Sequence, residues 1–362
     1  MSSQFKINVL RSMAVLLFLG WLIAIFLLAS LSGLENVLTS FLSMTFDSIL
    51  FSILLFILVN LLWILNWRLI ISSTGIKVSL KLLLYSMLAG FFVDNITPTI
   101  LIAGEVMMAY TLKILSKDKI RMAESVATIT FQMFCWFLGT SLFGIVAISL
   151  GFFQLGMSIE LLTPLLILLT IFSFFFVAIV SLIYWKNFAE RTLLWFASKF
   201  SNVISRLNGK SQLNPVTSTQ EWLNRFYSTL SSIPNSKSRL LLGGVIFTIR
   251  YLLEAYVILL LIEGLGFNIS FPQASLVLLV TVLTSLISLV PGGIGVFEAT
   301  MGSILLASGI PSFLTIIGIA VFRFLFFWIP TLLGMFVSIK VGVEVIELGG
   351  ESLEDNDGES PL

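Results

Sequence analysis

An all-α polytopic membrane protein is the fold class this sequence predicts, arranged as an inverted-repeat helical bundle with two broken or re-entrant helix pairs. Three observations predict it. Hydrophobic residues make up 58% of the 362 and charged ones only 11%. Several apolar runs reach the length of about 20 residues that a helix needs to cross a bilayer. Two further apolar stretches are interrupted at membrane depth by proline, and each resumes carrying a glutamate. A net charge of +1 points to no nucleic-acid partner. With no histidine and a single cysteine, Cys135, the chain lacks the means for histidine acid–base chemistry, His/Cys zinc sites or an internal disulfide, and no cofactor is expected. Oxygen-ligated Mg²⁺ or Ca²⁺ stays open on composition alone; Asp355-Asn356-Asp357-Gly358 has the start of a metal loop but lacks the rest of the pattern and reads as solvated tail, so no metal site is assigned.

Taken in order, Lys6 and Arg11 precede an apolar run from Ser12 to Leu31. It is too long for a signal-peptide core, and more spans follow, so it reads as an uncleaved first span. Glu35 and Asp47 lie in a segment free of Lys and Arg. A second span, from about Ser48 to Trp67, ends at Trp67-Arg68, an aromatic and a cation suited to the interface, with Lys77 and Lys81 beyond. From Leu82 to Leu115 two short apolar runs flank Asp94-Asn95-Ile96-Thr97-Pro98, with basic residues at both outer ends. This predicts a pair entering from the cytoplasm and returning there, either re-entrant or as a two-span hairpin, with Pro98 at its tip. Spans follow at about Ala123–Leu150 and Leu161–Trp185.

The interval 186–239 is the long polar segment. Lys186, Arg191, Lys199, Arg206, Lys210, Arg225, Lys237 and Arg239 face only Glu190 and Glu221, which marks a cytoplasmic connector by the positive-inside rule. Leu193, Phe196, Phe200, Val203, Ile204 and Leu207 recur at helical spacing there, as an interfacial amphipathic helix would. Ser218 with Glu221, ahead of Trp222, Leu223, Phe226 and Leu230, has the form of a capping box opening a second one. Another span runs to about Ile262. The runs Gln273–Val290 and Ile294–Ser308 flank the break at Pro291-Gly292-Gly293, and a last span covers Phe313–Ile339. Residues 1–340 thus read as a single transmembrane domain, with repeat-like units at about 46–150 and 239–340. Residues 341–362, rich in Asp and Glu, are expected to be a disordered acidic tail, cytoplasmic like the N-terminus.

The two breaks match. Pro98 and Pro291 each stand seven residues before a glutamate, Glu105 and Glu298, on the helix leaving the break. With the loop sides assigned above, the two units run in opposite senses. Inverted units whose broken helices meet near the midplane are an architecture of secondary transporters, and the prolines would be its hinges. An ionised group at membrane depth costs about 2.5–3.5 kcal/mol on insertion scales, so each needs a partner or water. The candidates are Asp94, Glu105, Arg250, Glu254, Glu298 and Arg323. Arg250 and Glu254 are one turn apart and read as a structural ion pair. Glu298 shares a stripe with Gly295, Gly302 and Gly309, which points it into a packed interface. Gly292, Gly293 and Gly295 would offer free backbone N–H groups at a helix start to an anionic head group, and Arg323 would serve a phosphate or Glu298. Asp94 and Glu105 would line the other half of the path.

Pro-Gly-Gly-Ile-Gly-Val-Phe-Glu at 291–298, Arg323 with Trp328-Ile329-Pro330 and Gly334, Trp67-Arg68, and Asn95, Pro98 and Gly104-Glu105 together resemble the transmembrane domain of lysylphosphatidylglycerol synthase/flippase proteins, over about residues 10–340. The resemblance implies movement of aminoacylated or otherwise modified lipids between leaflets. Two departures stand out. No soluble aminoacyl-transfer domain follows the last span, so synthesis of the lysyl lipid is not expected here. The family's Gly-Gly-Glu with a following arginine is reduced to Ala103-Gly104-Glu105, with Met108 and Tyr110 beyond. The expected function is translocation of a lipid or lipid-linked precursor in the cell membrane. Its ligands would be lipids with an anionic or modified head group, or polyprenyl-phosphate-linked ones. Protonation of a glutamate would couple the step to a proton gradient. The alternatives are an enzyme or accessory subunit acting on polyprenyl-phosphate sugars or modified phospholipids, and a partner of a separately encoded synthase or glycosyltransferase.

Overall fold

The computed structural model describes residues 33–97, 103–117, 119–199, 215–288 and 290–342, together with helical positions within 12–26. Pro98, the stretch 200–214 with Phe200, Val203, Ile204 and Leu207, and the tail beyond 342 lie outside the described residues, so the readings that fall on them stay as stated.

All described elements are helical. They are α1 (Leu34–Leu42), α2 (Phe46–Ser73), α3 (Leu80–Ile96), α4 (Ala103–Leu115), α5 (Met122–Leu155), α6 (Ile159–Tyr184), α7 (Lys186–Lys199), α8 (Pro215–Ser231), α9 (Ser236–Gly264), α10 (Phe271–Ile287), a 3₁₀ turn at Pro291–Gly293, α11 (Val296–Ala307) and α12 (Ser312–Arg323). The last continues through a π-helical turn, Phe324–Trp328, to Gly342. Five helices are long and apolar enough to cross a membrane: α2, α5, α6, α9 and the whole of 312–342.

The centre of the bundle is the trio α2, α5 and α9, which pack on one another. Close approach is set by small residues. A Cβ on Gly139 of α5 would come within 2.8 Å of the Gly244 carbonyl of α9, so the two helices meet almost backbone to backbone. Polar side chains tie α2 to α5: Asn66 Nδ2 donates to Gln132 Oε1 (2.6 Å), Gln132 Nε2 to the Trp63 carbonyl (3.0 Å), and Trp67 Nε1 to Thr128 Oγ1 (3.3 Å). At membrane depth these groups have no water to bond, and each finds its partner across the helix interface. By contrast α6 is peripheral: Ile167, Ile171, Phe174, Phe175 and Val177 are all exposed, as befits a helix facing acyl chains.

Three local expectations change. The amphipathic helix α8 begins at Pro215, a residue suited to the first turn of a helix, so Ser218 lies inside it and opens no capping box. Its Leu223, Phe226 and Leu230 are buried, and α8 packs on α5, so the apolar face expected to lie at the interface is covered by the bundle. On the other side, α1 was not foreseen. Its Leu34, Leu38, Phe41 and Leu42 are exposed, and it leans on α12.

Candidate functional site

The two breaks meet. Helix α3 ends at Ile96, and its Asp94 turns back to accept a hydrogen bond from the Gly104 amide that opens α4 (Oδ1, 2.7 Å). That carboxylate fills the space over Gly104, where a Cβ would collide with it. In the second break, Pro291 opens a single 3₁₀ turn and Gly292 takes a left-handed conformation (φ 57°). A Cβ on Gly292 would strike the Phe327 ring and come within 3.0 Å of the Asn95 carbonyl, so the tips of the two breaks touch at this glycine. Asn95 also donates to Thr331 Oγ1 (2.7 Å), and Thr331 donates to the Phe327 carbonyl, linking the first break to the π turn of α12.

Glu298 and Arg323 pair as one of the two expected alternatives has it. Arg323 Nε donates to Glu298 Oε1 (2.7 Å), and its Nη2 donates to the Gly292 carbonyl (3.0 Å). The guanidinium is held between the rings of Phe297 and Phe327, 4.4 and 4.2 Å from their centroids. The other Glu298 oxygen accepts from the Gly295 amide (2.8 Å), as a carboxylate in the first turn of a helix does. Two of the three glycine amides are therefore occupied from within: Gly295 by Glu298, and Gly293 by the Val290 carbonyl (2.9 Å). Nor does the glycine stripe extend along one helix. Gly295 precedes α11, which ends at Ala307, and Gly309 sits beyond it in a turn at φ 83°; only Gly302 packs within the helix, against Ile319 and Thr315.

Between the breaks and the central trio lies a cavity of about 280 Å³. Asp94 and Glu105 line it from the first break, Arg323 from α12, and Arg250 and Glu254 from α9. Glu298 is not among the described lining residues and meets the cavity only through Arg323. The remaining wall is largely aromatic, with Trp63, Phe91, Trp136, Tyr251, Phe322 and Phe327. Gln132 closes it beside Trp63. Of the carboxylates, Asp94 is engaged by Gly104, whereas Glu105 Oε2 is buried without a hydrogen-bond partner. Among the described residues, no group of three or more His, Cys, Asp or Glu has the arrangement of a metal site.

The expected site residues thus divide. Asp94, Glu105 and Arg323 converge on the cavity, with Glu298 behind them. Gly292, with Pro291 before it, shapes the meeting point. Arg250 and Glu254, read as structural, stand in the cavity wall. Gln132, Trp136 and Tyr251 were missed. The signal available for them was the presence of uncharged polar groups within apolar spans, which membrane-depth sequence carries only where a partner or water meets them.

On the opposite face of α12 runs an apolar groove of about 600 Å³ lined by Ile53, Phe56, Val321, Phe324 and Leu325. The Phe56–Phe326 ring contact (centroids 5.4 Å apart) joins a groove-lining ring to a cavity-lining one.

Comparison with known proteins follows the same ground. A UPF0104 membrane protein of Pyrococcus horikoshii is 26% identical over 323 residues, covering 85% of this chain and 91% of the relative. One of Methanocaldococcus jannaschii is 22% identical over 347 residues, 96% of this chain and 99% of the relative. One of Methanothermobacter thermautotrophicus is 25% identical over 342 residues, 92% and 95% respectively. The family model described as the lysylphosphatidylglycerol synthase TM region matches residues 12–334, which takes in every helix described from α1 to α11, both breaks and most of the final helix. The chain is a multi-pass membrane protein that belongs to the lysylphosphatidylglycerol synthase TM-region family.

Proposed function

We propose that this protein moves the polar head group of a membrane lipid across the bilayer through the cavity where the two breaks meet, while the hydrocarbon tails stay in lipid. The observation that carries the reading is the charge balance of that cavity. Arg323 is paired with Glu298 and Arg250 with Glu254. Asp94 and Glu105 are left without a cationic partner in an aromatic-walled space. Such a site suits a positively charged group on the head group, drawn both by the carboxylates and by the faces of Trp63, Trp136 and Tyr251. The amides of Gly293 and Gly295 in the second break, being occupied, are not available to an anion there.

Size supports the same reading. A cavity of about 280 Å³ is at or below the small end of ligand pockets, which suits a head group rather than a whole lipid. The apolar groove across α12 offers hydrocarbon a path at the same level. In this proposal the units at about 46–150 and 239–340 act as inverted halves that open the cavity to each side in turn.

The test is translocation of an amine-bearing phospholipid in proteoliposomes of the purified protein. The double variant Asp94→Asn/Glu105→Gln keeps shape and removes the charge. Translocation should drop about tenfold or more, the equivalent of one charge-assisted hydrogen bond. Unchanged translocation sinks the head-group reading. Access can be followed separately: with Cys135 replaced by Ala, the single variants Met133→Cys and Val282→Cys, both in the cavity wall, should be labelled by an impermeant thiol reagent from both sides, and labelling from one side only removes the alternating halves.

A further inference from the structure

Arg250 and Glu254 form the ion pair expected of them, and their surroundings leave that pair incomplete. They stand one turn apart on α9, Arg250 Nη2 lying 2.7 Å from Glu254 Oε1, with side chains only 16% and 7% exposed. A pair within one helix joins no two elements of the bundle. In an exposed helix it is worth only about 0.3–0.5 kcal/mol, and burying both ions costs more than that. The contact is also poorly saturated. It lacks hydrogen-bond alignment, and both Arg250 Nε and Glu254 Oε1 are buried without a hydrogen-bond partner.

Arg323 supplies the contrast. Its guanidinium is bonded to a carboxylate and a carbonyl and is sandwiched between two rings, so it has a complete structural explanation. Arg250 has an incomplete one, and it faces the same cavity. Its position is nonetheless prepared. The guanidinium carbon lies 5.5 Å from the Tyr251 ring centroid and 5.9 Å from that of Phe247. Tyr251 is in turn anchored, its hydroxyl accepting from Trp136 Nε1 (2.8 Å) and from Thr140 Oγ1 (3.3 Å).

We infer that Arg250 is the phosphate-binding residue of the cavity, held by Glu254 until a phosphodiester takes the place of that carboxylate. The guanidinium fork matches a phosphate with two parallel N–H donors, which its single contact to Glu254 leaves unused. This rests on the proposal that the cavity takes a lipid head group, and it adds a second point to it. The positive group of the head group meets Asp94 and Glu105, and its phosphodiester meets Arg250. The substrate class is then a phospholipid with a cationic or zwitterionic head group. A glycolipid without phosphate is not in that class.

The test is binding to the purified full-length protein, read as the rise in Tm and as quenching of cavity tryptophan fluorescence. The probes are phosphatidylethanolamine, a diacyl trimethylammonium-propane lipid that carries a cationic group but no phosphate, and inorganic phosphate. The wild type should favour phosphatidylethanolamine over the phosphate-free cationic lipid. Arg250→Gln should abolish that preference, weakening phospholipid binding about tenfold or more, and Arg250→Lys should restore part of it. Glu254→Gln, which releases the guanidinium, should strengthen phospholipid binding. If Glu254→Gln and Arg250→Gln both lower Tm alike and neither changes the preference, the pair is structural and the inference is overturned. That result combined with loss of binding in Asp94→Asn/Glu105→Gln leaves the head-group proposal standing without Arg250. If neither set of variants alters lipid binding, both fall. Arg250-dependent stabilisation by inorganic phosphate with none by the phospholipid overturns the assignment to a lipid.

Discussion

The two breaks share a design in sequence and differ in how their charges are satisfied. Each has a proline, a glycine that no other residue can replace without collision, and a glutamate seven residues beyond the proline. In the second break every charge is answered. Glu298 uses one oxygen for Arg323 and the other for the Gly295 amide, and Arg323 also holds the Gly292 carbonyl. In the first break Asp94 holds the Gly104 amide, and Glu105 keeps a buried oxygen with no partner. The family arginine expected after Glu105 is absent, Met108 and Tyr110 standing in that stretch. A saturated network rigidifies a site, and an unsaturated one at membrane depth persists where something else is to be bound. Under the proposed function the second break is the fixed frame and the first the working face.

That contrast can be broken most directly at Arg323. Arg323→Met should cost about 3–5 kcal/mol, because it strands Glu298 as an unpaired buried charge. Thermal unfolding should show a large fall in Tm. Adding Glu298→Leu should recover much of it, since an apolar replacement of a whole buried pair is often neutral. Failure of the double variant to recover would mean the carboxylate's cap on Gly295, rather than the ion pair, holds the frame.

Next in size is Gly292→Ala, where backbone strain at φ 57° adds to collision with Phe327 and the Asn95 carbonyl. The expected loss is about 1–3 kcal/mol of stability. Gly104→Ala carries no such strain and meets only the Asp94 carboxylate. It should lower Tm less and transport more. Equal effects of the two alanines on both readouts would erase the distinction between frame and working face.

A smaller loss belongs to Thr331→Val, which removes the partner of Asn95 and should cost about 1 kcal/mol. Smallest of all is Glu105→Gln. Since Glu105 Oε2 has no partner, neutralising it should leave Tm unchanged or slightly raised while translocation declines. A clear drop in Tm for this variant would show that Glu105 has a structural role like that of Glu298.

Much of this was legible in the chain. The long apolar runs set the spans: the helices Phe46–Ser73 and Met122–Leu155 extend their runs by a few residues at both ends, and Ile159–Tyr184 starts two residues before its run and ends one short of it. Proline followed by glycine located the second break, and the spacing of Glu298 from it put the carboxylate in the first turn of the next helix, where it caps. Other features failed at the step from one helix to its neighbours. The stripe through Gly295, Glu298, Gly302 and Gly309 assumed one uninterrupted helix, and the left-handed turn at Gly309 ends it. The start of α8 was placed at Ser218 because that residue has a cap's chemistry, but Pro215 had already begun the helix.

What the sequence by itself determined is local: which runs are apolar enough to span, where the backbone must leave the helix, and which ionisable residues sit at membrane depth. These follow from hydropathy, from the missing amide of proline and from helical spacing, all of which act over a few residues. Only the tertiary structure decided which charges meet. Asn95 reaches Thr331 across 236 positions, Gly292 touches the Asn95 carbonyl, and Arg250 joins Asp94 and Glu105 around one cavity. Those contacts depend on how closely the helices pack. Cavities form where small residues, a π turn and two broken ends leave space that no single stretch of chain encodes.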